Sequence, residues 1–95
     1  MRDDILTTLR ALRDELNTRF RVREISLFGS VVHEKETPSS DIDLLVDFDE
    51  QASLFDLVGL GLYLEETFGC KVDVVPKESL RPGIRDVVLA EAIGV

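Results

Sequence analysis

Ninety-five residues suffice for one small domain, which on folding hides about two thirds of the surface its unfolded chain exposes. A hydrophobic fraction of 44% beside 32% charged residues suits a soluble globule better than a disordered tail. The net charge of -8, from 19 acidic and 11 basic residues, argues against unaided binding to a nucleic-acid backbone and favours cations or a basic protein partner.

Residues Asp3 to Phe20 open the chain with Ile5, Leu9, Leu12, Leu16 and Phe20 at intervals of three and four, a spacing that predicts a helix with one buried stripe. Val22 to Phe28 is rich in β-branched and aromatic residues and stops at Gly29-Ser30, as a strand running into a glycine turn. Thr37-Pro38-Ser39-Ser40 reads as a loop. Asp41 to Phe48 alternates, with Ile42, Leu44, Val46 and Phe48 on one face and acidic residues on the other, as a half-buried strand does.

Ser53, with Asp56 three residues on, has the form of a capping box opening a helix from Leu54 to Phe68, and Gly69 is placed to end it. Gly59 and Gly61 each cost that helix about 1 kcal/mol relative to Ala, so close packing against a neighbour is the reason to expect them. Lys71 to Val75 is a third strand, stopped by Pro76. Leu80, Ile84, Val87, Val88 and Ala92 predict a last helix from Leu80 to Ile93, irregular at Pro82-Gly83. The order helix, strand, strand, helix, strand, helix predicts a single α/β (α+β) domain over residues 1–95, with a small mixed sheet of about three strands and helices packed on one face.

The chemistry-bearing residues are acidic. Side chains two apart on a strand point the same way, so Asp41 and Asp43 project together with Cβ atoms roughly 6 to 7 Å apart. Asp73, in the next strand, joins them if the two strands are neighbours. Crowded carboxylates either raise one another's pKa or recruit a hard cation, for which magnesium is the natural candidate. Gly29 lets backbone approach a phosphate and Ser30 adds a hydroxyl donor, while Asp73 is a candidate general base for an attacking hydroxyl. Asp47 shares the acidic face and reads as solvated.

Other uses of paired aspartates fit the spacing less well. A haloacid-dehalogenase phosphatase ends its strand close behind the pair, whereas Leu44-Leu45-Val46 continues here, and an EF-hand requires Gly where Val46 stands. Tyr63 reads as core packing with its hydroxyl at the rim, and Cys70 as a small packed residue. His33 reads as an exposed loop side chain. Arg81 and Arg85 read by default as solvated on a helix surface, with a grip on a nucleotide or an acidic partner as the functional alternative. The lone cysteine forms no internal bridge and no Cys/His set has zinc spacing. Together with the lack of an apolar run of about 20 residues, this predicts a reducing, cytoplasmic setting without membrane contact.

Phe28-Gly29-Ser30, ten intervening residues, then Asp41-Ile42-Asp43-Leu44-Leu45-Val46 resembles the Gly-Ser and Asp-x-Asp signature of the DNA polymerase beta-type nucleotidyltransferase superfamily, with Asp73 at the place of its third carboxylate. The size and the stretch from Lys77 to Arg85 resemble the minimal nucleotidyltransferases that act as antitoxins beside HEPN-domain ribonuclease toxins. The resemblance extends over nearly all the chain from Ile25 onward. It implies the nucleotidyltransferase fold and a magnesium-dependent protein adenylyltransferase that moves AMP from ATP to a tyrosine of a HEPN toxin, which it also binds. Carried over to this chain, Gly29 and Ser30 hold the triphosphate, Asp41 and Asp43 the metals, and Asp73 the metal or the acceptor hydroxyl. The pattern departs at Val31-Val32-His33-Glu34-Lys35, where many relatives have Arg-Ala-Arg-Gly-Glu. Loss of two arginines removes cations from the phosphates and opens the alternative of an antitoxin that neutralises its toxin by binding alone.

Overall fold

The computed structural model describes residues 2–29 and 42–95. Seven elements follow one another: α1 (Arg2–Phe20), β1 (Val22–Phe28), β2 (Ile42–Phe48), α2 (Leu54–Phe68), β3 (Val72–Pro76), α3 (Pro82–Glu91) and β4 (Ile93–Gly94). A 3-10 turn, Lys77–Ser79, joins β3 to α3.

The strands form one mixed sheet in the order β3-β2-β1-β4, with β2 antiparallel to β1 and parallel to β3. Parallel neighbours require a crossover, and α2 supplies it. Its start is held by the predicted capping box, in which the Ser53 backbone N–H donates to Asp56 Oδ2 at 2.9 Å, and Gly69 ends it in the left-handed conformation at φ 70.

Ile5, Leu9 and Leu16 of α1 and Leu60 and Leu64 of α2 close over Ile25, Leu27, Ile42, Leu44 and Val46 of the sheet, all nearly or wholly excluded from water. Each such side chain contributes about 1.5–3 kcal/mol of burial, which fixes the register of β2 because a one-residue slip would turn its aspartates inward. Gly59 is explained by packing, since a Cβ there would lie 3.1 Å from the Phe20 ring. Gly61 is not: its Cβ would meet Val74 at an ordinary 3.9 Å.

The C-terminal segment differs from its sequence reading. The helix there ends at Glu91, Ala92 is extended, and Ile93 pairs with Leu27 as a fourth strand. A two-residue strand leaves no period to detect, and its pairing with β1 is set by a contact across the whole chain. Ile84 and Val87 of α3 are more than half exposed, so the apolar spacing of this helix does not mark a buried stripe.

Candidate active site

Because Ile42, Leu44 and Val46 point at the helices, Asp43 and Leu45 point away from them. The same alternation turns Asp73 to that far face, as Val72 joins the core and Val74 lies toward α2. Asp43 and Asp73 are register partners in the parallel β2/β3 pair. Neighbouring strands are about 4.8 Å apart, so the two carboxylates lie side by side on one face.

The other flank of Asp43 is the end of β1. Phe28 pairs with Asp43 in the antiparallel ladder, and Gly29 follows at φ 81, where only glycine rests without strain. A Cβ on Gly29 would collide with Asp43 Oδ2 and sit 3.2 Å from its Cγ. Gly29 is therefore demanded twice, by its backbone angle and by the carboxylate pressed against it. The sequence alone suggests a glycine turn and an approach of backbone to phosphate, not the contact with Asp43.

Asp73 is half-exposed and has Lys71 Nζ 3.9 Å from its Oδ1. An ion pair this open is worth well under about 1 kcal/mol, too little to hold the carboxylate away from a ligand. Lys71 escaped the sequence reading, although its place two residues before Asp73 puts it on the same face. Ser30 and Asp41, the remaining predicted site residues, lie outside the described residues, as do Val31 to Lys35. Among the described residues no group of three metal-ligating side chains assembles; two carboxylates do.

Asp47 is half-buried and pairs with Glu24 across the ladder. Tyr63 keeps the rim position predicted for it: its ring stacks obliquely on Phe20 at 5.6 Å, Arg19 covers it at 4.9 Å, and its hydroxyl donates to Glu15 Oε2. That hydrogen bond to a carboxylate, with burial second, raises the Tyr63 pKa above 10.0. Cys70 is half-buried against the core. Arg85 is tied to the backbone, its Nη2 donating to the Leu80 carbonyl at 3.3 Å, and Arg81 is exposed at the start of α3.

The described residues thus bring two in-register carboxylates together beside a glycine at a strand end, and the family model for the nucleotidyltransferase domain matches residues 9–95. The chain belongs to the nucleotidyltransferase domain family.

The protein adenylyltransferase MntA of Thermococcus cleftensis is 45% identical over 93 residues, covering 98% of this chain and 94% of that protein. A relative assigned as a protein adenylyltransferase in Methanocaldococcus jannaschii is 45% identical over 74 residues, covering 78% of this chain and 80% of its own. The chain is thus one of the minimal protein adenylyltransferases within the nucleotidyltransferase family. A solved structure assigned as a minimal nucleotidyltransferase superposes with a TM-score of 0.79 at 40% identity, over 95% of both chains. The fold recurs, at 23% identity and a TM-score of 0.72, in a toxin–antitoxin complex with AMP-PNP, with 92% of this chain and 68% of that chain covered. Among the described residues no helix is long and apolar enough to cross a membrane.

Proposed function

We propose that residues 1–95 work as one nucleotidyltransferase domain, an antitoxin that binds ATP and magnesium and transfers AMP to a tyrosine of a HEPN ribonuclease toxin. The observation that carries this is the in-register pair Asp43 and Asp73, with Gly29 pressed against Asp43. The adjacent hard oxygens of Asp43 and Asp73 support a hard cation such as magnesium over zinc. The missing Cβ of Gly29 makes room for the Asp43 carboxylate, which sets that carboxylate directly against the end of β1.

Asp41, Asp43 and Asp73 hold the metal, and Gly29 and Ser30 take the triphosphate through backbone and hydroxyl donors. Bound magnesium supplies charge neutralisation at the α-phosphate and the departing pyrophosphate. The acceptor tyrosine oxygen forms a bond to the α-phosphorus as the bond from that phosphorus to the bridging oxygen breaks, and pyrophosphate carries off the electron pair. Asp73, half-exposed on the edge strand of the pair, is the candidate to receive the phenolic proton. The net charge of -8 suits a basic protein partner and a lone Cys70 suits a cytoplasmic setting.

Incubation with ATP labelled on the α-phosphate, magnesium and the HEPN partner tests the reading. Label enters the partner with the wild-type chain and fails to do so with Asp43→Ala. A second reading, neutralisation by binding alone, is favoured by Val31-Val32-His33-Glu34-Lys35 in place of the arginine-bearing motif. Under that reading Asp43→Ala still silences the toxin and no label transfers.

A further inference from the structure

The apolar surface of α2 is larger than the fold uses. Leu60 and Leu64 are fully buried, yet Leu54, Phe55, Val58 and Leu62 on the opposite side are 71, 88, 53 and 62% exposed. At 100° per residue these four fall within one outward sector, so the helix presents a continuous apolar strip about two and a half turns long. Scattered single apolar residues on a surface are ordinary, but four along one helix face form a patch of the kind that marks an interface. Phe55, almost wholly exposed, has the character of an anchor.

The charges on α2 say what covers it. Of its acidic side chains, Asp56 caps Ser53 and pairs with Arg21, and Glu65 accepts from the Val72 N–H, which leaves exposed Glu66 beside the strip, with exposed Glu50 just before the helix and no Lys or Arg within it. Two copies packing these faces together would bring acidic residues against acidic residues in either relative direction, on chains that each carry -8. A different protein, with an apolar helix or groove flanked by Lys and Arg, matches both the strip and its border.

We infer that the outward face of α2, through Leu54, Phe55, Val58 and Leu62, is the surface on which this chain docks a basic protein partner. The inference rests on the toxin-binding reading above and adds where the contact is made. The strip lies on the helix side of the sheet while Asp43 and Asp73 face the other side, so docking and transfer use separate surfaces of the domain.

The test measures affinity for the purified HEPN partner by calorimetry, for the wild-type chain and for the double variant Phe55→Asp, Leu62→Asp. Both positions are exposed, and an unchanged melting temperature and ATP affinity verify that the variant folds. The expected result is at least a 100-fold weaker complex, and a wild-type complex that loosens as salt is raised. Equal affinity in the variant overturns the docking surface and leaves the toxin reading standing. A wild-type dimer that the double variant splits, or that tightens with salt, overturns it in favour of a second copy. Failure of the wild-type chain to bind the partner at all overturns the toxin reading and this inference with it.

Discussion

Asp43 and Asp73 stand directly opposite one another on adjacent parallel strands, both half-buried, on the face of the sheet that α1 and α2 leave open. Like charges held at strand spacing repel, and removing one relieves the folded state. Asp43→Asn and Asp73→Asn are each predicted to leave thermal stability unchanged or raise it by a few degrees without nucleotide, while lowering nucleotidyl transfer on the order of 100-fold or more. Differential scanning calorimetry beside a transfer assay reads both, and a variant that loses stability together with activity contradicts the account.

The glycines separate site from scaffold. Gly29→Ala meets a backbone angle that costs about 1–2 kcal/mol for a residue with a Cβ, and its methyl strikes Asp43, so both stability and transfer fall. Gly61→Ala has room, with Val74 3.9 Å away, and gains about 0.5–1 kcal/mol in helix stability at unchanged transfer. Urea unfolding of the two variants gives opposite signs if the geometry is right.

Tyr63 is the one tyrosine in a chain without tryptophan, so its phenolate absorbance titrates without overlap. The hydrogen bond to Glu15 places its midpoint above 10.0, and Glu15→Gln moves the midpoint back toward that value. A raised folded pKa means the contribution to stability is whole below pH 10 and fades as pH climbs through the raised value. Tyr63→Phe is therefore predicted to flatten the alkaline loss of stability, measured as melting temperature between pH 9 and pH 11.

Much of this was legible in the sequence because local signals were strong. The stripe from Ile5 to Phe20 defines α1, the pairing of Ser53 with Asp56 and the position of Gly69 bound α2, and the alternation through Ile42, Leu44 and Val46 assigns a face to Asp43. The neighbourhood of Asp43 and Asp73 was conditional on strand order, which the crossover through α2 supplies. What escaped were features set by distant contacts. The pairing of Ile93 with Leu27 makes β4 out of a predicted helix end, and the collision between Gly29 and Asp43 depends on a ladder register that no single segment encodes. The exposed strip on α2 was hidden for another reason: a helix apolar all round has no period by which to tell its inward face from its outward one.

Asp43 and Asp73 are proposed to hold a divalent cation together beside the nucleotide. Titration of manganese into the chain with ATP, followed by electron paramagnetic resonance, tests it without any partner. The wild-type chain is expected to bind the ion with ATP, and Asp43→Asn and Asp73→Asn are each expected to weaken that binding at least tenfold. Undiminished manganese binding in both variants would contradict it.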